Sequence, residues 1–162
     1  MAMKIGSELV DALVATQLAP RLRYRCLLFQ TGDLGVLSEL CEAAIWAARQ
    51  LDGRVHVLEY RELLDDIGAL ACSRVLEKIE NMSNSDPLVV AGPLHFLEYW
   101  SQQVAAGFWE YLASYSTGPG IVVVDAPREQ SVLGAFRLVR MIPGTDIRVF
   151  KSRLAKAEDG LV

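Results

Sequence analysis

The stretch from Tyr24 to Gly35 is the part of this 162-residue chain that most constrains its fold. The residues from Cys26 to Gln30 are almost all apolar, which is typical of a strand buried in the middle of a parallel sheet. Gly32-Asp33-Leu34-Gly35 then turns the chain. Apolar residues recur on one helical face until Gly53, a residue type that commonly ends helices. A buried strand, a short glycine turn and a helix in this order predict an α/β protein.

The residues after Gly53 continue this alternation of strand and helix. Further strands are predicted at 55–59, 88–92, 121–125 and 147–150, and helices at 7–18, 61–70, 73–82, 96–115 and 130–141. Such alternation indicates a parallel sheet with helices on both faces. We therefore expect an α/β fold, a three-layer sandwich with a mostly parallel five-stranded sheet. One domain would cover residues 1–150, and a charged C-terminal tail would follow at 151–162.

The composition argues against several classes of protein. Hydrophobic residues make up 52% of the chain, yet no apolar run reaches the roughly 18 residues that a membrane span needs. The first residues carry no signal-peptide pattern, so a cytoplasmic location is the default expectation. The three cysteines and two histidines share no metal-ligand spacing, and we expect neither a metal site nor a cofactor.

The order of the predicted elements resembles that of a known family. From about residue 8 to residue 150 the chain runs helix, strand, glycine turn, helix, and then alternating strands and helices. This order resembles the core of P-loop NTPases of the AAA+ and related ASCE-type ATPases. In particular, it resembles the small P-loop-type subunits that accompany larger ATPases in prokaryotic phage-defence systems such as BREX. The resemblance implies a P-loop NTPase-like fold and a role within a larger complex.

The phosphate loop of that family reads G-x-x-x-x-G-K-[ST], in which the lysine neutralises phosphate charge and the hydroxyl holds Mg²⁺. The best match here is Gly32-Asp33-Leu34, with an acid in the place of the lysine and an apolar side chain in the place of the hydroxyl. A register that uses Gly32 and Gly35 as the loop glycines also contains no lysine. The third strand ends in Gly92-Pro93, without the carboxylate of the family's second motif. The sequence therefore predicts a degenerate Walker A loop and no ATP hydrolysis.

Polar residues at the predicted strand ends form a candidate nucleotide-binding site, because loops at the carboxyl edge of a parallel sheet converge on one crevice. The candidates are Gly32, Asp33, Gly35, His95, Asp125 and Arg128. The alternative interpretation is structural: Asp125 caps a helix or pairs with Arg128. No catalytic residue is assigned.

The predicted helix at 96–115 carries more than half of the aromatic side chains of the chain. One stripe of this helix is explained by core packing: Phe96, Trp100, Val104, Phe108 and Leu112. The other aromatic side chains face elsewhere and are predicted to form a protein interface: Tyr99, Trp109, Tyr111 and Tyr115. Stacking on nucleic-acid bases is less favoured, since no basic residue lies within this helix.

Basic residues cluster before the first strand and near the C-terminus, although the net charge is −4. The candidates for contact with nucleic acid are Arg21, Arg23, Arg25, Arg148, Lys151 and Arg153. The alternative interpretation is that these residues simply lie on ordinary solvent-exposed surfaces.

The sequence leaves three functions open. The first, favoured by the absent lysine and the surplus aromatics, is a catalytically inactive ATPase-like domain that acts as a protein-interaction subunit. It would assemble with itself or with a larger ATPase or DNA-processing machine, in a prokaryotic complex such as one of phage defence. The second is a nucleotide-binding protein or enzyme with a nonstandard site at the carboxyl edge of the sheet. The third is a nucleic-acid-binding accessory subunit. The sequence does not decide between an ATPase-like and a flavodoxin-like strand order.

Overall fold

A computed structural model of the chain describes residues 26–59, 71–115, 119–126, 134, 136–142, 144 and 146–152. The predicted helices at 7–18 and 61–70 lie outside the described residues, and so does the predicted tail beyond Ser152. Candidate residues Arg21, Arg23, Arg25, Arg128 and Arg153 lie outside them as well.

The described part of the chain is mixed α/β. The strands are β1 (Cys26–Thr31), β2 (His56–Glu59), β3 (Leu88–Ala91), β4 (Ile121–Asp125), β5 (Phe136–Ile142) and β6 (Ile147–Ser152). The helices are α1 (Leu34–Asp52), α2 (Cys72–Met82) and α3 (Gln102–Ala113), with a 3₁₀ helix at His95–Tyr99. The predicted strands at 55–59, 88–92 and 121–125 are confirmed to within a residue. Gly53 ends α1 with a φ of 82°, as its position in the sequence predicted.

The six described strands form one sheet in the order β2-β3-β4-β1-β6-β5. The pairings of β2 with β3, β3 with β4 and β4 with β1 are parallel, whereas β6 pairs antiparallel with both β1 and β5. The sheet is therefore mostly parallel, as predicted, but it has more strands than the five expected. The flavodoxin-like order would place β1 between β2 and β3. Here β1 lies between β4 and β6, so the chain does not have that order.

The additional strand is β5, and it corrects the prediction of a helix at 130–141. The apolar residues of this segment fit helical and extended spacing about equally well, and antiparallel pairing with the next strand, β6, decides for the strand. Gly144, at a φ of 79°, lies in the connection between the two strands. A bulge between Leu138 and Arg140 shifts the pairing by one residue. As a result Phe136 and Ile142 are buried on opposite faces of the sheet, despite their even spacing.

Described helices cover both faces of the sheet. Helix α1 packs on one face, where its alanines and leucines meet alternate side chains of β1, β3, β4 and β6. Helices α2 and α3 and the 3₁₀ helix pack on the other face, over the intervening side chains of the same strands. The residues of β1, β3 and β4 are buried throughout, as expected for strands covered on both sides.

The predicted long helix at 96–115 is in fact two helices, separated at Trp100 and Ser101. The hydroxyl of Ser101 accepts a hydrogen bond from the backbone N–H of Val104 at 3.2 Å, and this cap starts α3. Serine favours such a capping position over the interior of a helix, because its side chain satisfies a backbone donor that has no partner in the first turn. The break changes the direction in which the aromatic side chains of this region point.

Candidate functional site

The turn between β1 and α1 uses the backbone donors that a phosphate loop would offer to a ligand. Asp33 caps α1, and its Oδ1 accepts a hydrogen bond from the N–H of Gly35 at 2.9 Å. The N–H of Gly32 donates to Oδ2 of Asp146 at 3.1 Å, and the N–H of Asp33 donates to Oγ1 of Thr31 at 3.2 Å. A helix N-terminus ordinarily attracts anions. Here two carboxyl groups of the chain itself already lie at that end.

A cavity of about 440 Å³ opens beside this turn, at the carboxyl edge of the parallel strands. Its wall is built by the start of α1, the last residue of β2 and the end of β3 with the segment that follows: Leu34, Leu37, Ser38, Cys41, Glu59, Ala91, Gly92, Pro93 and His95. Ligands of open α/β sheets bind in the crevice outside the carboxyl ends of the strands. The position and the size of the cavity are therefore those of a small-molecule site.

The wall contributed by the segment after β3 is held in place from behind by Asp125. This residue ends β4 with its side chain fully buried, and its Oδ1 accepts a hydrogen bond from the N–H of Leu94 at 3.0 Å. The peptide bond between Gly92 and Pro93 is cis. A side chain at Gly92 would overlap the carbonyl oxygen of Val124. Asp125 therefore caps the segment that begins at Leu94. Such a capping role is one of the two structural roles that the sequence analysis considered for this residue.

The thiol of Cys41 lines the cavity, and both its burial and nearby carboxyl groups affect its pKa. Burial, the largest cause, raises the pKa of the Cys41 thiol to about 11. A hydrogen bond with the backbone of Gly92 opposes this rise in pKa. The charges of Glu59, Asp125 and Glu42 add to it. The thiol is therefore protonated at neutral pH and is not an activated nucleophile, even though His95 lines the same cavity.

We expect Cys41 in the folded protein to react with iodoacetamide at pH 8 about 100-fold more slowly than an ordinary cysteine, because its pKa lies about two units higher. Site-resolved mass spectrometry of the alkylated protein measures this rate. The same protein unfolded in urea is the control and should react at the ordinary rate. Equal rates in the folded and unfolded protein would show that the thiol is more acidic and accessible than its burial implies.

The structure brings only part of the predicted nucleotide site together. His95 lines the cavity, with its Nδ1 3.5 Å from the carboxylate of Glu98. Asp125 holds the segment that leads to His95. Asp33 and Gly35 form hydrogen bonds within their own turn instead, and Gly32 donates to Asp146. Sequence reasoning missed Cys41, Ser38 and Glu59. Glu59 could have been found, because it ends a predicted strand as Asp125 does.

The predicted aromatic interface divides into exposed and buried residues. Tyr99 is 67% exposed. Tyr111 is half-buried and donates a hydrogen bond from its hydroxyl to Glu80 at 3.0 Å. Trp109 and Tyr115 are buried, so the prediction that they face the surface is wrong. Trp109 belongs to the buried face of α3, which is one position away from the predicted core stripe, so that Val104 is exposed instead. Tyr115 lies against α2, where its hydroxyl accepts a hydrogen bond from Ser83 at 2.7 Å.

The two described candidates for nucleic-acid contact do not form one patch. Arg148 is exposed and Lys151 is half-buried. They are three positions apart on β6, and side chains of a strand alternate between faces, so they lie on opposite faces of the sheet.

No group of three or more His, Cys, Asp or Glu side chains within the described residues could hold a metal ion. None of the described helices combines the length and the hydropathy that a membrane crossing requires. No protein-family model matches the chain, and comparison with the curated proteins and with the solved structures finds no match.

Proposed function

We propose that this chain is a catalytically inactive, ATPase-like α/β domain that acts as a protein-interaction subunit of a larger prokaryotic complex, of the kind found in phage defence. The observation that carries the proposal is the turn between β1 and α1. In a working phosphate loop, free N–H groups and a lysine surround the phosphates. Here the corresponding donors bind Asp33 and Asp146, and a phosphate would meet negative charge without a neutralising cation.

The interaction role is supported by apolar side chains that are exposed to solvent on the described surface. Tyr99, at the end of the 3₁₀ helix, and Val104, in the first turn of α3, are both exposed. Large exposed aromatic side chains are enriched where proteins bind one another. We name these two exposed residues, Tyr99 and Val104, together the α3 entry surface.

Titration of the purified protein with ATP, ADP and GTP, each with Mg²⁺, tests the first half of the proposal. We expect no heat of binding, because the N–H groups of Gly32, Asp33 and Gly35 already have partners and the loop contains no cation. Stoichiometric binding of any of the three nucleotides would contradict the proposal and would favour the alternative of a nonstandard nucleotide site.

The substitution Tyr99→Glu tests the α3 entry surface. It places a negative charge at a position that is already exposed to solvent. Sedimentation velocity detects self-association, and co-purification from the native cells detects another partner. We expect the assembly found with the wild-type chain to be lost in Tyr99→Glu. Trp46→Glu is the matched control, since Trp46 is an exposed aromatic on α1, which covers the opposite face of the sheet. An assembly that survives Tyr99→Glu, or is lost equally in both variants, would contradict this role of the surface.

A further inference from the structure

The cavity at the carboxyl edge is lined by both apolar and polar side chains. Leu34, Leu37 and Pro93 supply apolar wall, whereas Ser38, Glu59 and His95 supply polar groups. Its volume of about 440 Å³ lies in the range of pockets that bury small organic ligands. A ligand that fits would have a short apolar stem and one polar head.

The charge of the surroundings decides the sign of that head. Glu59 lines the cavity directly, and the buried carboxyl group of Asp125 lies behind Gly92, within 3.2 Å of where a side chain at that glycine would be. His95 is the one residue of the described lining that can become positive, and its ring nitrogen is already 3.5 Å from the carboxylate of Glu98. Among the described residues the permanent charges at the cavity are therefore negative, and they favour a cation over a phosphate or carboxylate.

We propose that this cavity binds an organic cation with N–H donors, a primary ammonium or guanidinium group on a short apolar stem, with the charged head at Glu59. The carboxylate of Glu59 accepts hydrogen bonds from the cation, and such charge-assisted bonds are stronger than neutral ones. The hydroxyl of Ser38 provides a further acceptor. This site is separate from the α3 entry surface and does not depend on the proposed interaction role.

A matched ligand series tests the proposal, with n-butylammonium, butylguanidinium, n-butanol and butyrate as probes of similar length. Amide chemical shifts of Gly92 and His95 report occupation of the cavity. Ligands with so few atoms are expected to bind in the millimolar range. We expect saturable shifts with the two cations, binding at least about 10-fold weaker with n-butanol, and none with butyrate. Equal binding of butyrate, or no saturable shift with either cation, would overturn the proposal.

Replacing Glu59 with its neutral isostere glutamine separates electrostatic recognition of the ligand from apolar contact with it. Glu59→Gln should weaken n-butylammonium about 10-fold or more and leave n-butanol unchanged, because only the cation uses the negative charge. Glu110→Gln is the control, since Glu110 is exposed on α3, on the other face of the sheet. Unchanged binding of the cations in Glu59→Gln would overturn the proposal even if the wild-type protein binds them.

The same cation can come from a free amine or from a lysine or arginine side chain of another protein. Spermidine represents the first source. The second is represented by a lysine-alanine peptide whose N-terminus is acetylated and whose C-terminus is blocked, so that the lysine side chain carries its only charge. Tighter binding of spermidine than of the peptide would identify a free amine as the ligand, and the reverse order would identify a side chain. In both cases we expect the binding to be lost in Glu59→Gln, and its retention would contradict the site.

Discussion

Replacing Trp109 with alanine should lower the free energy of unfolding by about 4 kcal/mol, as is typical when a fully buried aromatic side chain is removed. The indole is 0% exposed, and its ring centroid lies 5.3 Å from that of Phe108 and 5.8 Å from that of Phe136. Since Phe136 belongs to β5, this contact joins α3 to the antiparallel part of the sheet. Urea unfolding followed by circular dichroism measures the loss.

Trp46→Ala is the matched control for this experiment. Trp46 lies on α1 and is 40% exposed, so we expect its removal to change the free energy of unfolding by less than about 1 kcal/mol. Equal losses in the two variants would contradict the buried position of Trp109. A stable Trp109→Ala protein that had lost a binding partner would instead restore the sequence-based prediction that this side chain is part of an interface.

Replacing Gly92 with alanine is expected to cost at least about 3 kcal/mol, because backbone atoms fill the space that the methyl group needs. The added Cβ would overlap the carbonyl oxygen of Val124 and lie 3.1 Å from the Cα of Asp125. These atoms belong to β4, a strand covered on both sides, and cannot swing away as the end of a flexible side chain could. Thermal unfolding measures the loss.

Gly107→Ala is the control, because it measures the effect of replacing a glycine with alanine where no atom lies close enough to clash. Gly107 lies within α3, and an added Cβ would meet no atom within 4 Å. Because glycine is a poor helix former, alanine should raise the free energy of unfolding here by about 0.5–1 kcal/mol. We therefore expect opposite signs for the two variants. A Gly92→Ala protein as stable as the wild type would show that the segment after β3 does not approach β4 so closely.

Continuous apolar runs made the parallel core of the fold predictable. Both faces of β1, β3 and β4 are covered, and their residues are therefore mostly apolar. This composition can be recognised in the sequence. β5 was missed for the opposite reason. Its residues contain no decisive local pattern, and the partner that makes it a strand is β6. The break before α3 depends on one cap at Ser101, which the apolar spacing of the surrounding residues concealed.

The candidate site was harder to predict than the fold, because it depends on strand order. Asp33 and His95 were found as polar residues next to strand ends, but their hydrogen bonds could not be foreseen. The carboxyl group of Asp146, which accepts from Gly32, reaches the turn only because β6 pairs with β1. Cys41 and Glu59 share a cavity because β2 and β3 are neighbours below the start of α1. Periodicity along the chain contains no information about either adjacency.

The position of β1 between β4 and β6 determines when the chain can fold during synthesis. Strand β1 finds its parallel partner at Ile121, 95 residues after Cys26, so the central pairing is highly non-local. At about 5–20 residues per second, the apolar segment from Cys26 to Phe29 leaves the ribosome on the order of ten seconds before β4 follows it. The antiparallel neighbour β6 emerges later still. During that interval the fully buried strand β1 has neither of its permanent neighbours, and the nascent chain depends on helix α1, or on a chaperone, to cover it.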